Sequence, residues 1–250
     1  MKIERLGGAN SAGTALYKTV KRHIIESVRH GEWKAGDVIP SEKKLCERFG
    51  VSMGTLRKAV DELSGEGFLV RHQGLGTFVA THNQDRYLFS FFHVVRQDGH
   101  KEYPKVELLE VGYVKADSHA VMMLGVDPGS RLMRFVNRLS LGGAPVVIDE
   151  ILLPENLFRG LTEAKLRERS ATLYQLYQDA FGITVISTRE RLRAVKADAI
   201  KARLLGVVDG EPLLQVIRVA LSFKEQPVEL RYSYVLTSKY EYSSAPMGAS

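Results

Sequence analysis

Residues 39–79 read IPSEKKLCERFGVSMGTLRKAVDELSGEGFLVRHQGLGTFV, and the order of elements in this stretch decides the fold of the front of the chain. Gly74 and Gly76 lie one residue apart between β-prone runs. A Gly-x-Gly pair cradles a cofactor phosphate when a strand precedes it and a helix follows. Here strand-forming residues follow, so FLVRH, QGLG and TFVA read as strand, turn and strand, a β-hairpin. Upstream of the hairpin, Pro40-Ser41 opens a helix over EKKLCERFG. Ser41 is placed to cap its free N–H groups and Glu42 suits the positive end of its dipole. Leu45, Cys46 and Phe49 form its inward side, and Gly50 ends it. Ser52 caps the next helix, in which Leu56, Ala59, Val60 and Leu63 share one face. Gly54, Lys58 and Asp61 point away from that face, with Thr55 and Arg57 on the flanks.

Outward from this stretch, Leu16, Val20, Ile24 and Val28 recur every four residues and predict a preceding helix that Gly31 stops. Two short helices joined by FGVS form a helix-turn-helix. A plain helical hairpin with a solvated face would read the same way, but the β-hairpin that follows completes a winged helix. In such a domain the second helix of the pair enters the major groove by its N-terminal end. The glycines of the wing let backbone approach the duplex. Charge agrees: residues 1–80 carry 13 Lys and Arg against 9 Asp and Glu, whereas the rest of the chain is close to balance, within a net +6 over 250 residues.

The stretch 39–79 resembles the winged helix of the GntR family of bacterial transcription regulators. The shared pattern runs from IPSEKKLCERFGVS through TLRKAV to the EGFLVRHQGLGTFV ending. The resemblance implies a homodimer on near-palindromic double-stranded operator DNA. It implies DNA contacts from Lys43, Ser52, Met53, Thr55, Arg57 and Lys58, and from Arg71, Gln73, Gly74, Leu75 and Gly76 of the wing. Relatives usually carry arginine directly after the capping serine. Met53 stands there and can only touch a thymine methyl or pack, which predicts an altered half-site.

THNQDRY (81–87) is polar and lacks helical periodicity, so it is read as a linker between a domain over 1–80 and one over 88–250. The second domain holds a duplication. VKAD recurs at 114–117 and 195–198, and LGV at 124–126 and 205–207, both 81 residues apart. Each copy predicts a strand ending in VKA, then a brief helix capped by Asp117 or Asp198 and closed by Gly125 or Gly206. Two strands joined by a tight turn follow. Such pairs build an α+β domain, an antiparallel sheet with helices on one side. TLYQLYQDAFGI supplies a helix between the copies.

Residues 88–244 resemble the effector-binding UTRA domain of the HutC branch of that family, on RLSLGGAPVVIDE, TLYQL, LGVVDGEPLLQVIR and PVELRYSYV. The resemblance implies a chorismate lyase-like antiparallel-sheet fold that binds a small polar or anionic metabolite. It implies effector contacts from Arg138, Ser140, Thr172, Glu229 and Tyr234. Alternation along the strand puts Arg138 and Ser140 on one face, and Arg138 either holds an anionic group or makes a surface salt bridge with Glu150 or Glu229. Arg138→Ala is accordingly expected to remove the effector response, and Arg57→Ala to remove operator binding.

No catalytic pattern competes. The seven histidines are scattered, without His-x-x-Glu-His or His-Glu-x-x-His spacing, so no catalytic zinc is expected. No Gly-x-Ser-x-Gly elbow is present, and the single cysteine, Cys46, lies on an inward helix face. Asp149 and Glu150 are adjacent on a strand and point to opposite faces. The expectation is a ligand-responsive repressor without cofactor or metal, cytoplasmic and free of membrane spans. The alternatives are an enzyme on the lyase-like fold with an appended DNA module, and an architectural DNA binder whose large domain only dimerises.

Overall fold

The computed structural model describes residues 12–34, 36–72, 75–80, 91–98, 102–169 and 172–243. The chain divides into two units, residues 1–81 and 82–250.

In the first unit, α1 (Ala12–Arg29) is followed by α2 (Glu42–Phe49), α3 (Met53–Gly65) and the hairpin β1 (Leu69–His72) and β2 (Gly76–Val79). The buried stripe of α1 is Tyr17, Val20, Ile24 and Ser27, whereas Leu16 and Val28 are only half-buried. An exact four-residue step advances 40° per repeat on a 3.6-residue helix, so the core follows alternating steps of three and four instead. Leu45 and Phe49 of α2 and Leu56, Ala59, Val60 and Leu63 of α3 close this core. Cys46, expected inside, is half-buried. Ser41 stands at the N-cap of α2, but its side chain makes no capping hydrogen bond. Ser52 does cap α3, accepting from the Thr55 N–H at 3.3 Å. Residues 36–39 extend the hairpin: Gly36 N–H donates to Val79 O and Ile39 N–H to Thr77 O, both at 2.9 Å.

The second unit is built on a six-stranded antiparallel sheet of order β4-β5-β6-β9-β8-β7. Its strands are β4 (Lys105–Lys115), β5 (Arg131–Leu141), β6 (Ala144–Pro154), β7 (Ser187–Lys196), β8 (Pro212–Leu221) and β9 (Pro227–Leu236). The duplication is visible in that order, because β4-β5-β6 and β7-β8-β9 are two three-stranded halves joined at β6 and β9. Each half carries a helix after its first strand. In α4 (Ser118–Leu124), Asp117 accepts from Ala120 N–H at 2.7 Å; in α7 (Ala199–Leu205), Asp198 accepts from Lys201 N–H at 2.8 Å. Gly125 and Gly206 close these helices in the left-handed conformation.

The helices do not lie on one side of the sheet, as expected, but on both. On one face Ala120 and Leu124 of α4 pack with Leu132, Leu152 and Leu230, while Ala202 and Leu205 of α7 pack with Val136 and Ile148. On the other face α5 (Glu163–Glu168) and α6 (Leu173–Phe181) bring Leu166, Leu173, Tyr174 and Tyr177 onto Met133, Phe135, Ile151 and Leu153. A small antiparallel pair, β3 (Val94–Arg96) and β10 (Tyr240–Tyr242), accompanies this second face, where Phe92 and Val94 pack with Leu139, Val147 and Val235. The duplicated helices thus take one face, and the segment between the copies covers the other. No described helix is long and apolar enough to cross a membrane.

Candidate nucleic-acid interface and ligand cavity

The leading end of α3 is open. Ser52, Met53 and Gly54 are exposed, Thr55 is half-buried, and the Ser52 and Thr55 hydroxyls lie 2.9 Å apart. Arg57, 63% exposed, donates from Nε to Glu42 Oε2 at 2.9 Å. That single bond leaves the two terminal nitrogens of the guanidinium for a base edge or a phosphate. Glu42 also lies 3.4 Å from Arg71 Nη2, and Arg71 Nη1 bonds Asp61. One carboxylate on α2 therefore ties the reading helix to the wing strand. Lys43 is exposed on α2. Lys58, expected at the duplex, instead lies over the Tyr17 ring of α1 at 4.3 Å from its centroid, a cation–π contact. At the wing, Leu75 is 73% exposed and Gly76 has φ +118°. Gln73 and Gly74 lie outside the described residues, as does the expected linker 81–87.

The second unit contains a cavity of about 500 Å³ between the sheet and the segment that includes α5 and α6. Its floor carries Asn137 and Asp149, register partners on β5 and β6; the β9 register partner of Asp149 is Ser233. Arg231 is adjacent on β9. Asn137, Asp149 and Arg231 are each 3% exposed, and Leu139 completes the floor at 1%. Arg231 Nη1 donates to Asp149 Oδ2 at 3.2 Å, and the Ser233 hydroxyl donates to Asp149 Oδ1 at 2.5 Å. Arg231 also donates from Nε and Nη2 to Glu229 at 2.9 and 3.1 Å. The Glu229 carboxylate, fully buried, accepts from the Tyr174 and Tyr177 hydroxyls at 3.2 and 2.7 Å. Burial and the adjacent Glu229 charge push both phenols up, which keeps them protonated as donors. Asn137 Oδ1 is buried without a hydrogen-bond partner. The wall and mouth carry Glu107, Arg167, Arg169 and Thr172, the N-cap of α6.

The five residues expected at the effector do not converge. Thr172 lines the cavity and Glu229 lies behind its floor. Arg138, Ser140 and Tyr234 fall on the alternate parity of their strands, the face that carries α4 and α7. Arg138 pairs with Glu107 at 2.6 Å, not with Glu150 or Glu229, and Tyr234 receives the Lys201 ammonium over its ring at 4.5 Å. A slip of one residue along a strand transfers a side chain to the other face. Asn137 and Leu139 therefore occupy the places assigned to Arg138 and Ser140. Asp149 and Glu150 do separate across the sheet: Glu150 bonds Arg134 at 2.5 Å on the opposite face. Asn137, Asp149, Arg167, Arg169 and Arg231 were absent from the expected site. The available signal was a polar residue on the parity of Met133 and Phe135, of Ile151 and Leu153, or of Val235.

An exposed helix-turn-helix with a wing, joined to a sheet domain holding a polar cavity, defines a DNA-binding regulator with a ligand-binding domain. Residues 16–79 match the family of bacterial regulatory proteins known as the gntR family, and residues 99–241 match the UTRA domain. The chain is 30% identical over 220 residues to the probable fructoselysine utilization operon transcriptional repressor of Escherichia coli, covering 86% of this chain and 88% of that protein. It is 28% identical over 214 residues to the histidine utilization repressor of Klebsiella aerogenes, covering 83% and 85%. Among solved structures, the ligand-binding domain of a GntR-family regulator from Bordetella bronchiseptica superposes with a TM-score of 0.58 at 33% identity, over 61% of this chain and 95% of that one. PhnF from Mycobacterium smegmatis shares the fold over 92% of this chain and 99% of its own, with a TM-score of 0.51 and 24% identity. The chain belongs to the GntR family, with a UTRA domain behind its winged helix, consistent with the HutC branch. It is a ligand-responsive, DNA-binding transcriptional repressor and not an enzyme.

Proposed function

We propose that this repressor acts in the cytoplasm as a homodimer on a near-palindromic operator, and that a small polar metabolite filling the Asn137–Asp149–Arg231 cavity releases it. The observation that carries this reading is the polar floor of the cavity: a buried acceptor without a partner, beside the buried Asp149–Arg231 pair, is what a ligand-binding surface offers. The E. coli and K. aerogenes relatives are named for operons that use fructoselysine and histidine, which makes nitrogen-bearing catabolites the first compounds to test.

On the DNA side we assign base reading to Met53, Thr55 and Arg57, and backbone contact to Lys43, Ser52, Arg71 and the wing at Leu75 and Gly76. The ligand shifts operator affinity only by its differential affinity for the two states of the protein. The test is a binding-site selection to obtain the operator, followed by anisotropy titrations with candidate metabolites on the wild type and on Leu139→Trp, which fills the cavity. Retained operator binding with lost release supports the assignment. Normal release by Leu139→Trp places the effector elsewhere. Sedimentation of the free protein as a monomer at the concentrations that bind operator would overturn the dimer.

A further inference from the structure

The charges around the cavity are sorted by depth. The floor and the layer behind it hold two carboxylates, Asp149 and Glu229, against one guanidinium, Arg231, all within 3% exposure. Arg218, also buried, is matched by Glu190 at 2.6 Å. One negative charge is thus in excess at the inner end, beside Asn137, whose buried Oδ1 has no partner. Both call for a donor, and the excess charge calls for a cationic one. The mouth is opposite in sign. Arg167, paired with Glu163, and Arg169 line it; Glu107, also there, is engaged by Arg138, and the nine-residue helix α6 begins there at Thr172, presenting the positive end of its dipole. A carboxylate is favoured at this outer end and is repelled by Asp149 at the inner one.

We infer that the cavity takes a zwitterionic metabolite, with its ammonium seated against Asn137 and Asp149 and its carboxylate toward Arg169 and the start of α6. This rests on the cavity being the effector site. It goes beyond that reading by excluding sugar phosphates and neutral polyols as the preferred class. A sugar phosphate can engage the mouth but, like a polyol, leaves the excess charge of the floor unmatched.

Four probes on one carbon skeleton separate the contributions: D-glucosaminate carries both charges, D-gluconate only the carboxylate, D-glucosamine only the ammonium, and D-glucose neither. Calorimetric titration of the full-length protein is expected to rank D-glucosaminate first. Replacing its ammonium by hydroxyl should weaken binding about tenfold or more, one charge-assisted hydrogen bond. Asn137→Leu and Asp149→Asn should each narrow that ratio, in preparations whose circular dichroism matches the wild type. Equal or tighter binding of D-gluconate or D-glucose overturns the zwitterion inference, as does binding of none of the four. A ratio unchanged in both variants overturns it as well. The effector-cavity reading fails separately, through normal operator release by Leu139→Trp.

Discussion

Asn137 and Arg138 are chain neighbours on opposite faces of a sheet, and their partners differ accordingly. Arg138 donates to Glu107 at 2.6 and 3.2 Å in a partly exposed pair that is expected to contribute little. Arg138→Ala is therefore predicted to leave effector release within about twofold of wild type, the reverse of what its sequence position suggested. An operator-release titration checks this, and complete loss of the response would return Arg138 to the site. In the winged helix, Arg57 meets Glu42 through Nε alone. Arg57→Ala is predicted to weaken operator binding by about 1–3 kcal/mol while leaving ligand affinity unchanged, measured by anisotropy and calorimetry on one preparation. Glu42→Gln should lower the ratio of specific to non-specific binding, because the guanidinium loses the carboxylate that orients it. Met53→Arg should introduce a preference for guanine at one half-site position in a binding-site selection.

At the scale of elements, local rules were legible where they depend on a few consecutive residues. Asp117 and Asp198 were readable as caps because the cap, the helix and the closing glycine fall within nine residues; Asp198→Ala should cost about 1 kcal/mol, seen as a lowered Tm. Gly76 combines φ +118° with a Val38 Cγ2 that a Cβ would meet at 3.1 Å, so Gly76→Ala should destabilise the first unit by about 1 kcal/mol or more. Strand faces were not legible. β5, β6, β8 and β9 are buried on both sides, so apolar residues fill both parities and alternation carries little signal. The Glu190–Arg218 pair between β7 and β8 is equally a product of packing. Burial raises the Glu190 carboxyl, but the Arg218 charge and the Tyr242 hydroxyl hold it below the usual range. A carboxylate lowered on folding adds stability above its unfolded pKa of about 4.3, and that stability is lost as pH falls through the folded value. Glu190→Gln is predicted to cost about 3–5 kcal/mol at pH 7, and less in acid. Denaturant melts at both pH values check it.

Over the whole molecule, positive charge is concentrated in the front third. Operator affinity should fall linearly with the logarithm of salt concentration, while occupancy of the ligand cavity depends on salt more weakly, because the charges of its floor are buried. A salt-insensitive operator affinity would contradict phosphate contact by this unit. The 81-residue duplication predicts the two halves of the sheet, but their joining at β6 and β9 and the coverage of both faces appear only in the assembled domain.

The sequence by itself determined the winged helix with its hairpin, the helix caps at Ser52, Asp117 and Asp198, and the repeat. These follow from backbone preferences and periodicities within a few residues, or from self-similarity along the chain. Only the tertiary structure decided which parity of β5 faces the ligand cavity, that Lys58 turns to Tyr17, and that Glu42 holds Arg57. Those outcomes depend on what covers each face, and the covering residues come from segments distant in the chain.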